Sequence, residues 1–150
     1  MRFLALTSLL VLAGCSRGGG VTTVPTELPP RPVTLSVRGT SDMNRGNAVV
    51  VRIYALRSAA AVERATLEEL WADDAAVLGS DLVEQTEVRL FPGEASPVEI
   101  DAAGASHIAV VANLREPARG GWRLVFVASE LRGRGASVSI GADRVTSSGR

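Results

Sequence analysis

From Val33 onward the chain is written in short period-two pieces separated by turn residues, and this rhythm confines it to an all-β fold. Val33, Leu35 and Val37 alternate with Thr34, Ser36 and Arg38, the pattern of a strand with one wet face. Ala48 to Leu56 is apolar on both sides except at Arg52, as a central strand requires. Across Glu84 to Phe91, Thr86, Val88 and Leu90 fall inward and Gln85, Glu87 and Arg89 outward. Phe91-Pro92-Gly93-Glu94 reads as a turn, and Pro97 to Asp101 returns with Val98 and Ile100 inward. His107 to Leu114 and Trp122 to Ala128 are further strands, joined by the turn-rich run Glu116 to Gly121. Ser137 to Ile140 and Asp143 to Thr146 complete a set of about seven or eight short strands, the signature of a two-sheet β-sandwich.

The sandwich must hold without cross-links, because Cys15 is the only cysteine. About 110 to 120 ordered residues suffice for one well-buried core but not two. Beyond Gly14 the chain carries 15 basic against 16 acidic side chains, all the basic ones Arg, so no strong field exists to draw nucleic acid or anionic lipid.

One insertion interrupts the strands. Thr66-Leu67-Glu68-Glu69 fits a capping box, in which hydroxyl and carboxylate satisfy each other's backbone donors, and a short helix should follow. Leu67, Leu70 and Trp71 share one side and are expected to cover an open end or edge of the sandwich. Asp73 or Asp74 can cap a second short turn that Gly79 ends. The expected role is structural; a partner-binding helix is the alternative.

The N-terminus specifies an address. Arg2, an apolar stretch from Phe3 to Leu12, and then Leu12-Ala13-Gly14-Cys15 have secretory leader architecture, too short for the roughly 20 residues of a spanning helix. The run resembles the lipobox of bacterial lipoproteins. That resemblance implies removal of residues 1–14 and acylation of Cys15 with three fatty chains, which hold a protein on a membrane essentially irreversibly. Ser16, where an Asp signals inner-membrane retention, implies the outer membrane, facing the periplasm. An ordinary cleaved leader followed by a chance cysteine is the plainer alternative. Residues 15–32 combine Gly18-Gly19-Gly20 with Pro25, Pro29, Pro30 and Pro32 and read as a tether, leaving 33–150 as the folded domain.

Chemistry needs clusters, and the sequence offers few. His107 is the single histidine and reads as an ordinary strand-end residue. Glu68-Glu69 and Asp73-Asp74 are adjacent pairs that diverge on a helix and cannot converge on one substrate. No phosphate-cradling glycine motif occurs in a suitable context. No catalytic residue, metal site or cofactor beyond the Cys15 lipid is therefore expected, and the chain reads as a non-enzyme. The candidate contact is the polar loop Thr40, Ser41, Asp42, Met43, Asn44, Arg45, Gly46 and Asn47, exposed at one end of the sandwich, where rigid sandwiches carry their binding residues. A solvated connection without a partner is the alternative.

Behind the lipobox, Asp42-Met43-Asn44 with Ala48-Val49-Val50-Val51-Arg52-Ile53-Tyr54-Ala55-Leu56, then Leu90-Phe91-Pro92-Gly93-Glu94, Ile108 to Arg115 and Gly121-Trp122-Arg123, resemble in order the segments of the TssJ or SciN-like family, the outer-membrane lipoprotein of the type VI secretion system. Leu67 to Asp74 and Leu78 to Leu82 resemble its helical insertion. Where family members often carry prolines in the loop, this chain has Arg45 and Asn47 or Ala48. The resemblance implies a transthyretin-like sandwich that docks, through the loop between its first and second strands, on the periplasmic domain of the large inner-membrane component, with no nucleic acid and no small-molecule substrate. Arg52 and Tyr54 are expected to be structural, a paired buried charge and a core aromatic. A periplasmic carrier of a small ligand is the competing reading, thinly supported by Tyr54, Trp71, Phe91, Trp122 and Phe126 as the only aromatics past the leader.

Overall fold

The computed structural model describes residues 31–148. Eight strands form two four-stranded sheets: β1 (Pro32–Gly39), β2 (Val49–Leu56), β3 (Leu82–Leu90), β4 (Ala95–Asp101), β5 (His107–Ala112), β6 (Arg123–Val127), β7 (Ala136–Ile140) and β8 (Val145–Ser148). One sheet runs β4-β1-β7-β8 and the other β3-β2-β5-β6. All pairings are antiparallel except β1 with β7, where Val37 sits beside Val138.

Alternation decides which side chains meet between the sheets. Val33, Leu35 and Val37 of β1 face Val49, Val51, Ile53 and Ala55 of β2 and Ile108 and Val110 of β5 in one continuous buried cluster. Fully burying a Val, Leu or Ile side chain stabilises the fold by about 1.5–3 kcal/mol. This layer substitutes for the missing disulfide.

The helices sit elsewhere than expected. Tyr54, Leu56, Ala109 and Val111 form a second buried cluster with Val62, Leu67, Leu70, Leu78 and Trp122, on the side of β2 and β5 turned away from the first core. Helices α1 (Ala60–Arg64) and α2 (Leu67–Leu78) therefore roof the outer face of one sheet instead of closing an end or edge. This cover is why β2 carries apolar residues of both parities. The capping box is present: Thr66 Oγ1 accepts from the Glu69 N–H at 3.2 Å, and Glu69 Oε2 accepts from the Thr66 N–H at 2.8 Å. Asp73 leaves helical geometry and its carboxylate accepts from the Ala76 N–H at 2.9 Å, restarting the helix after a kink. Arg123 fastens α1 to β6 by donating to the carbonyls of Val62 and Ala65, both at 3.0 Å. Helix α1 and a third helix, α3 (Ala128–Leu131), carry no strong sequence signal.

Strand directions separate two ends. β1 starts at Pro32 beside Asp101 and finishes at Gly39; at the Gly39 end lie the β1–β2 loop and the turns after β3, β5 and β7. Residue 31 and the α3 region lie at the other. An eight-residue strand puts the ends roughly 25 Å apart.

Candidate docking site

The β1–β2 loop is built inward as much as outward. Ser41, Asp42, Arg45, Gly46 and Asn47 are exposed and Thr40 half-buried, but Met43 is 0% and Asn44 3% exposed, which corrects the expectation of a wholly exposed loop. Met43 packs over Gly39: a Cβ there would lie 2.5 Å from Met43 Sδ and 3.1 Å from the Phe91 carbonyl, so the chain needs glycine for this close approach. Asn44 (φ 47°, ψ 38°) and Arg45 (φ 55°, ψ 45°) both adopt the left-handed conformation, which Asn tolerates better than most residues.

Asn44 joins three loops. Its Nδ2 donates to the Ala48 carbonyl at 2.9 Å, its Oδ1 accepts from the Arg115 N–H at 2.8 Å, and its own N–H donates to the Gly141 carbonyl at 3.0 Å. The turn after β3 joins through Gly93 N–H to the Thr40 carbonyl at 3.2 Å and Gly39 N–H to the Glu94 carbonyl at 2.8 Å. Arg45 pairs with Glu116 at 2.7 Å on the surface. The loop is thus one part of a stiffened four-loop end. Sequence reading missed Phe91, Arg115, Glu116 and Gly141 as its companions, since nothing in spacing joins residues so far apart.

Arg52 and Tyr54 lie on the roofed face of β2. The buried Tyr54 hydroxyl donates to Asp74 Oδ2 at 2.9 Å. Arg52 reaches Asp74 at 3.2 Å and Glu87 at 3.0 Å and stacks 4.1 Å from the centre of the Trp71 ring. Burial, then the Asp74 contact, push the Tyr54 phenol well above its ordinary value. Burial works against the Arg52 charge, but Glu87, Tyr54 and Asp74 more than offset it. These contacts pin α2 to the sheet; Asp73 is a cap and Asp74 an acceptor, so the adjacent carboxylates serve different partners. His107 heads β5 opposite Leu56, and among the described residues no three His, Cys, Asp or Glu groups converge as a metal site. Cys15 and most of the tether lie outside the described residues.

Comparison with known proteins places the chain. Residues 31–143 match the T6SS-SciN family, type VI secretion lipoproteins including VasD, EvfM and TssJ. The crystal structure of the type VI lipoprotein TssJ1 from Pseudomonas aeruginosa is similar at 27% identity and a TM-score of 0.71, over 81% of this chain and 98% of that one. A chain of a structure named "Type VI membrane complex" is similar at 25% identity and TM-score 0.73, over 81% and 100%. A chain of the structure named T6SS protein TssM C-terminal domain (869–1107) from EAEC shares the fold at 23% identity and TM-score 0.70, over 79% and 98%. No curated relative matched the sequence. The match over most of the sandwich, together with the shared two-sheet architecture, establishes that this chain belongs to the type VI secretion lipoprotein family.

Proposed function

We propose that this lipoprotein ties the envelope-spanning complex of a type VI secretion system to the outer membrane, without catalysis of its own. Lipid on Cys15 holds one end; the four-loop end docks on the periplasmic domain of the inner-membrane component. The observation that carries the reading is polarity: the chain from Cys15 joins the sandwich at Pro32, and the loop 40–47 emerges from the opposite end. A domain tethered at one end leaves the loops of its opposite end free to meet a partner. The structures named for the TssM C-terminal domain and for the membrane complex, whose chains this one resembles, support the same partner class.

The carrier reading has less to stand on. The core between the sheets is filled by side chains, and a groove of about 920 Å³ at the tether end is lined by Phe126 and Leu131 together with Thr34, Ser36, Glu130 and Arg134. The groove is open and mixed in lining, unlike the enclosed, mostly apolar cavity that buries a small ligand.

The test uses the full chain, purified in detergent, against the periplasmic domain of the inner-membrane component from the same organism. Asp42→Ala with Arg45→Ala should weaken binding while Met43 and Asn44 keep the loop folded. Cys15→Ser should abolish palmitate labelling and membrane attachment yet leave binding intact. Wild-type chain that fails to bind would overturn the docking role.

A further inference from the structure

The charged groups of the four-loop end balance. Asp42, Glu94, Glu116 and Asp143 stand against Arg45, Arg115, Arg119 and Arg144. Two of the pairs are already closed within the chain, Arg45 with Glu116 at 2.7 Å and Arg144 with Asp143 at 3.1 Å. An end so compensated offers a partner little electrostatic gain, because exposed ion pairs in water contribute little. Affinity there has to come from desolvating something apolar.

One large apolar side chain is available. Among the described residues only Phe91, at 57%, and Val127, at 43%, are large hydrophobics left exposed, and Val127 lies at the tether end, opposite His107 in the β5–β6 register. Phe91 follows the inward Leu90 and takes the outward parity of Gln85, Glu87 and Arg89. Its backbone is locked: the Phe91 N–H donates to Glu94 Oε2 at 2.9 Å, the Glu94 N–H returns to the Phe91 carbonyl at 3.0 Å, and Gly93, at φ +81°, closes the turn that is bonded to Thr40. A ring held on a rigid turn loses little entropy on binding, which is the profile of an interface anchor.

We infer that Phe91 is the apolar anchor of the docking end and enters an apolar pocket on the periplasmic domain of the inner-membrane component, with the exposed residues of the β1–β2 loop as its polar rim. The inference rests on the docking role proposed above and assigns the main binding energy to the neighbouring turn instead of the loop.

The experiment measures Kd between the full detergent-solubilised chain and that periplasmic domain for wild type, Phe91→Ala, Phe91→Leu and Val127→Ala. Phe91→Ala should raise Kd at least about tenfold, Phe91→Leu less than about fivefold, and Val127→Ala less than about twofold, with thermal melting unchanged in the two Phe91 variants because that ring is more than half in water. Wild-type binding with Phe91→Ala within about twofold of it would overturn the anchor and leave the docking role standing. Equal losses from Phe91→Ala and Val127→Ala would also overturn it. Absence of wild-type binding would remove the docking role and the anchor together.

Discussion

The side-chain oxygen of Asn44 accepts the backbone N–H of Arg115 at 2.8 Å, a contact between residues 71 positions apart that fastens the β1–β2 loop to the loop after β5. Asn44→Ala removes this bond and the one to Ala48, and places a Cβ-bearing residue without a compensating amide in the left-handed region. The loss should be about 2–4 kcal/mol in urea unfolding. Asn44→Gly keeps the backbone accessible and should cost less. Equal costs for the two would show that the side-chain bonds, not the backbone, dominate.

Tyr54 and Asp74 form a part-buried polar contact beneath α2. Tyr54→Phe deprives a carboxylate that is only 16% exposed of one of its two side-chain partners and should cost about 1–2 kcal/mol. Asp74→Ala, which also strips Arg52 of an ion pair, should cost about 2–3 kcal/mol. The double variant should be little worse than Asp74→Ala alone; strict additivity of the two losses would mean that the hydroxyl and the carboxylate do not act together.

The sandwich was legible because alternation in β1, β2 and β3 reports directly which side chains meet in the core, and the capping box at Thr66 and Glu69 is a purely local signal. The placement of α2 was harder to read. Its apolar residues show that it covers something, but the surface covered, Tyr54, Leu56, Ala109 and Val111, is assembled from two strands some fifty residues apart. The same distance hid Arg115 and Gly141 as partners of Asn44. Phe91 was half legible: continuing the outward series Gln85, Glu87, Arg89 reaches it, but its proximity to Thr40 exists only once β1 and β4 have paired.

Acid should weaken the fold through two surface carboxylates. The Thr66 N–H, and then its hydroxyl, hold Glu69 below its ordinary 4.5, and the N–H groups of Arg31 and Ala103 hold Asp101 below 3.8. A carboxylate whose pKa is lower folded than unfolded contributes stability above its unfolded value and loses it as the pH falls through the folded one. Their contribution is therefore complete near neutrality and fades below about pH 4.5. Glu69→Gln and Asp101→Asn should lower stability at pH 7 and flatten the acid limb of a stability-versus-pH profile. An acid limb as steep in both variants as in wild type would place the sensitivity in other groups.

Ionic strength separates an apolar anchor from a charged one. Surface charges steer association and are screened over about 8 Å at physiological salt, so docking driven by Asp42 or Arg45 would weaken steeply as salt is raised. The four-loop end carries equal numbers of carboxylates and guanidinium groups, two pairs already joined internally, and one ring more than half exposed. Burial of that ring is insensitive to screening and slightly favoured by sulfate, which is excluded from protein surface. Kd for the periplasmic partner should therefore change by less than about threefold between 50 and 500 mM sodium chloride, most of the change residing in the association rate. A tenfold or greater loss across that range would make the rim charges, not Phe91, the source of the affinity.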